Sequence, residues 1–266
     1  MRQPTLHRPP DGELLASPKP RVFEQIVEFL TAEIQAGRLR PGDRLKPERE
    51  LAAQLGVGRG TLREALKALE ALDVLELRHG LGIYVTEPRP ETLSRIFGTL
   101  LSMQPGRGDD IMDARIALEC QAVRLACRNA RAADIRRMEE ALSALAVESA
   151  RQDGARCAQH DHDFHSAIMD STGNATFVFL YSAITGLLKR SHHERWLTHF
   201  CTEDAAETLD RVHTAILGAI KAGDEQKAAA AMVDHFDTIA DRLARHRETT
   251  GVASPISIAF QPRPRR

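Results

Sequence analysis

The chain has 266 residues, enough for two domains with a core apiece. Lys and Arg number 36 against 37 Asp and Glu, a net charge of −1, so a nucleic-acid surface has to be a local patch and not a global excess. The four cysteines (Cys120, Cys127, Cys157 and Cys201) form no CxxC pair, which argues against a disulfide framework. There is no secretory-signal pattern and no apolar run long enough to span a bilayer, so a cytoplasmic protein with no membrane partner is expected.

Residues 1–20 are rich in proline and charge without an apolar period and read as a disordered leader. The first domain is expected over 21–86. Its first helix, Phe23 to Ala36, has Ile26, Phe29, Leu30 and Ile34 on one face and stops at Gly37. Pro47 suits the first helical position of a short second helix, Glu48 to Leu55. Gly56-Val57-Gly58 supplies a tight turn. A third helix, about Arg59 to Leu72, places Leu62, Ala65, Leu66, Leu69 and Leu72 on its apolar face and Arg59, Arg63 and Lys67 on the other. Two short strands follow, Val74 to Arg78 and Ile83 to Thr86, joined at His79-Gly80-Leu81-Gly82.

Three helices and a hairpin in this order predict a winged helix-turn-helix. Residues 44–67 carry six Lys/Arg against three Glu, a local net of +3 in a domain that is near neutral as a whole. Charge alone favours a solvated face of Arg/Glu pairs. The helix-turn-helix pattern turns the reading toward DNA, since arginine can pair with guanine or grip phosphate in the major groove.

Arg40-Pro-Gly-Asp-Arg-Leu45, Glu48-Arg-Glu-Leu-Ala52, Leu55-Gly-Val57, Leu62-Arg-Glu-Ala-Leu66 and Gly80-Leu-Gly-Ile-Tyr-Val85 closely resemble the DNA-binding domain of GntR-type regulators, without a gap over about 22–86. The resemblance implies that Arg49, Arg59 and Arg63 contact DNA in the major groove, with Thr61 among the DNA contacts, and that His79 and Gly80 at the wing tip enter the minor groove. Two positions depart from the pattern. Gly58 stands where Ser or Thr usually caps the recognition helix, and Lys46 replaces the usual Pro-Ser entry to the second helix. A glycine cap costs only about a few tenths of a kcal/mol.

Thr86-Glu-Pro-Arg-Pro-Glu91 reads as a linker over 87–91. The second domain, expected over 92–248, is all helical, with about seven helices near 92–103, 110–129, 132–152, 155–171, 175–197, 205–222 and 225–247. A flexible tail over 249–266 ends in basic residues.

Polar residues interrupt three of the apolar stripes in this domain. Asp161 and His165 share a face with Cys157, Phe164 and Ile168; His213 lies among Leu209, Val212, Ile216 and Ile220; His235 lies among Met232, Phe236, Ile239 and Leu243. Any one of these histidines alone is a hydrogen-bonded core residue. Four inward N/O groups together favour a shared divalent metal. His160, His162, His192, His193, His199 and His246 fall off the stripes and read as surface residues. Arg115 edges the stripe of Met112, Ile116, Glu119, Ala122, Val123 and Ala126; it either binds a carboxylate or pairs with Glu119 at i+4.

Asp161-His-Asp-Phe-His165, His213, Ala222-Gly-Asp224 and His235 resemble the FCD effector-binding domain of the FadR subfamily, more loosely than the first domain resembles its own. The resemblance implies Asp161, His165, His213 and His235 as ligands to zinc, nickel or manganese. It also implies a small carboxylate effector on the metal that reaches Arg115; the complete metal set argues against the acyl-CoA of the regulator that names the subfamily. The expected function is a homodimeric regulator, expected to repress, that binds palindromic double-stranded operator DNA and is released by its effector. Two alternatives stand beside it: a metal-dependent hydrolase or lyase on the same Asp/His site, and a metal that only holds the helices together.

Overall fold

The computed structural model describes residues 20–103, 108–196 and 203–250. The leader and tail expectations and Cys201 fall outside these residues, apart from a few positions at the helix ends. Contacts divide the chain between Arg89 and Pro90 into two compact units, each with its own core.

In the first unit α1 (Pro20–Gln35), α2 (Glu48–Leu55) and α3 (Arg59–Ala71) precede the strands β1 (Leu75–Arg78) and β2 (Gly82–Val85). Ile26 and Leu30 of α1 meet Leu62, Leu66 and Leu69 of α3 in a core that Leu45, Leu51, Leu75, Ile83 and Val85 complete. Two residues expected on the buried stripes are exposed, Phe29 at 36% and Leu72 at 51%. Leu72 is the C-cap of α3, where the helical period no longer aims the side chain inward. The α1 helix packs chiefly on α3, so only a narrow stripe of it is covered and Phe29 lies at the edge.

Pro47 is the N-cap of α2 with an extended ψ of 141°, and Glu48 is the first helical residue. Gly56 ends α2 in the left-handed conformation, with Val57 N–H returning to the Ala52 carbonyl at 3.0 Å. Gly58 caps α3 without a side-chain hydrogen bond, as its lack of a side chain requires.

The antiparallel hairpin pairs Leu75 with Val85 and Leu77 with Ile83. It has an unexpected neighbour. Leu45 N–H donates to the Ile83 carbonyl at 2.8 Å, and Val85 N–H donates to the Asp43 carbonyl at 2.9 Å, so the segment before α2 lies along β2. At Gly82, φ is +115° and an added Cβ would stand 2.7 Å from Arg44 Nε, so this joint of the wing accepts only glycine without a shift of Arg44.

The second unit holds α4 (Pro90–Ser102), α5 (Gly108–Asn129), α6 (Ala132–Ala150), α7 (Gly154–Ser171), α8 (Ala175–Arg195), α9 (Glu203–Lys221) and α10 (Glu225–Thr250). Side-chain oxygens set several helix starts: Asp153 accepts from Arg156 N–H at 3.1 Å, Asn174 from Thr176 N–H at 3.0 Å, and Asp224 from Lys227 N–H at 2.9 Å. Val123, Phe164, Ile168, Ile216, Met232 and Phe236 bring α5, α7, α9 and α10 into one core. No helix among the described residues is long and apolar enough to cross a membrane.

The α4 helix lies against α8 at a close crossing. Ser94 Oγ donates to the Ala183 carbonyl at 2.6 Å, and a Cβ at Gly186 would stand 2.5 Å from Ser94 Oγ. Gly186→Ala is therefore expected to displace Ser94 and lower stability by about 1–3 kcal/mol in chemical denaturation. Unchanged stability would show that the crossing relaxes freely.

Candidate DNA interface and candidate metal centre

The first unit presents the predicted DNA-contacting residues on its surface. Arg49, Arg59, Arg63, His79 and Gly80 are exposed, and Thr61 is half-buried beside Leu62. Arg59 opens α3 and Arg63 follows one turn later. Gly80, at φ +72°, forms the hairpin tip with His79. Arg49 and Arg59 have no ion pair among the described residues. Arg63 is engaged instead: its Nε and Nη2 donate to Glu48 Oε2 at 3.1 and 2.8 Å, tying α3 to α2. On the wing the Arg78 guanidinium lies over the Tyr84 ring, 4.4 Å from its centroid.

In the second unit His165 of α7, His213 of α9 and His235 of α10 are buried together. One ring nitrogen from each comes within 4.8 Å of the others. Asp161, one turn before His165, is also buried, and its Oδ1 lies 3.2 Å from His213 Nε2 and 4.0 Å from His165 Nε2. All four residues that interrupt the apolar stripes therefore meet in one region of the bundle. The chemistry fits a divalent ion, because buried His165 Nε2, both nitrogens of His213 and His235 Nδ1 have no hydrogen-bond partner among the described residues.

Glu119 of α5 organises this centre. Its Oε1 accepts from Arg115 Nε at 2.7 Å, and its Oε2 makes a short contact with His165 Nδ1. An ionised Glu119 assigns the His165 proton to Nδ1 and leaves the Nε2 lone pair facing His213 and His235. Burial alone would raise the Glu119 pKa, but His165 and Arg115 beside it bring it from 4.5 down to about 2. Burial likewise opposes the Arg115 charge, and Glu119 overrides that opposition and raises its pKa. Burial, then the nearby His213 and His165, push the His235 pKa well below 6.5, so its imidazole is neutral and able to donate a lone pair.

Arg115 is thus anchored to its own helix. Its Nε is committed to Glu119, and its guanidinium lies 5.3 Å from the Phe236 ring centroid. The bridging role of Glu119 escaped sequence reading, although its place at i+4 from Arg115 inside an apolar stripe was the available signal. His162 departs from expectation too. It is half-buried, not at the surface, and its ring lies nearly parallel to Tyr181 at 9°, with centroids 6.2 Å apart. The cause is α8, which covers that side of α7. His160 is partly exposed, 3.5 Å from Asp163. The side chains of His192, His193, His199 and His246 fall outside the described residues. A cavity of about 420 Å³ reaches His213 between α6 and α9, lined by Leu142, Leu145, Leu209 and Trp196 and edged by Glu207 and Asp210.

A winged helix with exposed arginines, followed by a helical unit with buried ligand-competent polar groups, defines a DNA-binding transcriptional regulator with a separate second domain. Residues 23–85 match the family model "Bacterial regulatory proteins, gntR family", and residues 110–238 match the FCD domain. The chain is 30% identical over 218 residues to the HTH-type transcriptional regulator LutR of Bacillus subtilis (strain 168), spanning 81% of this chain and 98% of that one. It is 29% identical to the Glc operon transcriptional activator of Escherichia coli (strain K12), over 84% of this chain and 89% of that one. Among solved structures, the Streptococcus agalactiae GntR protein shares the fold with a TM-score of 0.61 at 23% identity, over 84% of this chain and 99% of that one. The chain belongs to the GntR family of bacterial transcriptional regulators and carries an FCD domain. These families and relatives are regulators, not enzymes, so the hydrolase or lyase alternative has no support.

The two shifted groups set a pH response of the ion-free protein. The folded pKa of His235 lies below its ordinary 6.5, so acidification protonates the unfolded chain first and stability falls below about pH 6.5. Glu119 stabilises the fold fully above 4.5 and loses that contribution as the pH falls toward about 2. Urea titrations of chelator-treated protein should show a midpoint that drops steadily from about pH 6.5 downward. A flat profile would contradict both shifts.

Proposed function

We propose that this regulator represses transcription in the cytoplasm by binding a palindromic operator as a homodimer, and that a small organic acid at a divalent ion releases it. Residues 21–86 read DNA, 87–91 link, and 92–248 sense. The observation that carries the reading is the set of buried, unpartnered imidazole nitrogens of His165, His213 and His235 within 4.8 Å of one another. Asp161, His165, His213 and His235 would hold the ion, which is zinc, nickel or manganese. When bound, it supplies a Lewis-acid anchor for a carboxylate oxygen. Glu119 keeps the His165 lone pair in place, and the enclosing apolar stripes exclude competing water. The Arg115 charge favours an acid over a neutral ligand. The acid shifts operator binding only to the extent that its affinity differs between the DNA-bound and free states.

On the DNA side, Arg49, Arg59, Thr61 and Arg63 would meet the major groove, with His79 and Gly80 in the minor groove. Arg63 would exchange Glu48 for DNA. Exposed ion pairs are worth about 0–1 kcal/mol, so the exchange costs little. Arg59→Ala is expected to weaken binding to the promoter DNA beside the gene by roughly ten- to hundred-fold in a gel shift. Its circular dichroism should be unchanged, because Arg59 is exposed. Full affinity in that variant would remove Arg59 from the interface. Since one relative is named as an activator, the sign of control is read from a reporter: deleting the gene should raise expression from its own promoter.

The sensing reading is tested by stripping the protein with chelator and restoring zinc, nickel or manganese. The ion should raise the melting temperature, and His213→Ala should abolish that rise. Acid binding by calorimetry should require the ion. Equal acid affinity with and without the ion would make the metal structural only.

A further inference from the structure

The wing carries two arginines that the DNA reading above leaves out. Arg44, in the segment before α2, forms an antiparallel bridge with Tyr84 of β2. Residues paired across such a ladder point to the same side of the sheet. Glu76 pairs with Tyr84 and Arg78 with Gly82, so Arg44, Glu76, Arg78 and Tyr84 share one face with Gly82. Leu45, Leu75, Ile83 and Val85 alternate to the opposite face and are buried in the core. The face with the arginines is therefore the outer one, and Arg44, Glu76 and Arg78 are exposed on it.

Both guanidinium groups are held in place. Arg44 lies across Gly82, with Nε, Nη2 and Cζ at 2.7, 3.2 and 3.3 Å from where a Cβ would stand. Arg78 lies over the Tyr84 ring. The Tyr84 hydroxyl donates to the Leu81 carbonyl at 3.3 Å, which ties the same ring to the hairpin tip. Glu76 supplies the carboxylate of this face and is taken up by Arg78, whose Nε and Nη2 donate to it at 3.0 and 2.9 Å. No carboxylate among the described residues pairs with Arg44. The face thus sets two ordered cations against one anion.

Their position points to the partner. A strand advances about 3.3 Å per residue, so Arg78 and Gly82 lie about 7 Å behind the tip at Gly80. The minor groove is about 7.5 Å deep and about 6 Å wide, with phosphates along its lips. A tip that enters the groove brings the two arginines level with those phosphates. Resting on the DNA reading of the wing, we propose that Arg44 and Arg78 clasp operator phosphates at the lips of the minor groove. Arg44 takes a phosphate directly, and Arg78 takes one by exchanging Glu76. The clasp fixes the register of the tip and adds affinity without reading sequence.

The test is fluorescence anisotropy of the full chain with the promoter DNA beside the gene and with an unrelated duplex, over a salt series. Each phosphate contact contributes about 0.9 to the slope of log affinity against log salt. Arg44→Gln should lower that slope by about 0.9 and weaken both duplexes by the same factor, roughly five- to thirty-fold. Arg44→Lys restores the charge and should restore the slope. Glu76→Gln should tighten both duplexes by about two- to five-fold, because Arg78 no longer has to be released. A residue that only braced the wing would behave differently: Arg44→Gln would lower the preference for the promoter over the unrelated duplex and leave the slope alone. That result, a slope that Arg44→Lys fails to restore, or a Glu76→Gln variant that binds no more tightly overturns this inference while DNA reading by Arg59 stands. If the wild type binds neither duplex, the DNA reading itself fails and takes this inference with it.

Discussion

A single buried carboxylate organises the helical domain. Glu119 holds Arg115 on its own helix and His165 on α7, and all three side chains are nearly inaccessible to water. A charge buried that deeply is tolerable only when paired, and removing one partner of such a group is far more destructive than never having built it. The pairing therefore does two things at once. It joins α5 to α7 through groups that cannot be separated cheaply, and it settles which nitrogen of His165 faces the other two histidines. His213 of α9 and His235 of α10 lie against His165, with ring centroids 5.6 and 4.9 Å away.

The DNA-binding unit is built on the opposite principle. Its candidate DNA-contacting side chains are exposed, and its rigidity comes from the apolar core beneath them. Leu62, Leu66 and Leu69 fix α3 from below, so Arg59 and Arg63 project from a helix that does not need them for stability. Arg63 rests against Glu48. The wing is stiffened from its flank by the 42–45 segment, and Gly82 leaves room for Arg44 to lie across it. Exposed charge on a rigid frame suits recognition of a polyanion, because little side-chain order beyond the arginines themselves has to be created on contact.

Between these extremes lies α8. It carries Tyr181 at the edge of the buried polar centre, and two residues later it offers the Ala183 carbonyl to Ser94 of α4. The α4 helix begins at Pro90, directly after the division between the two units. The polar centre and the first helix of the second unit thus share one rigid element at a crossing too close for an extra methyl group.

The sequence alone was sufficient for most local features. Helical periodicity marked the ten helices among the described residues to within a few residues, because an amphipathic stripe and its caps are written in neighbouring positions. The same periodicity picked out Asp161, His165, His213 and His235, since a polar residue on an apolar stripe has to point inward. What it could not supply was the pairing between distant positions. The contact of Glu119 with His165 spans 46 residues, and that of Arg63 with Glu48 spans 15. Half-burial of His162, exposure of Phe29 and the alignment of residues 42–45 with β2 all depend on which neighbour arrives from elsewhere in the chain. A helix records which of its faces is apolar, but only packing decides how wide a strip of that face is covered and which buried charge finds which partner.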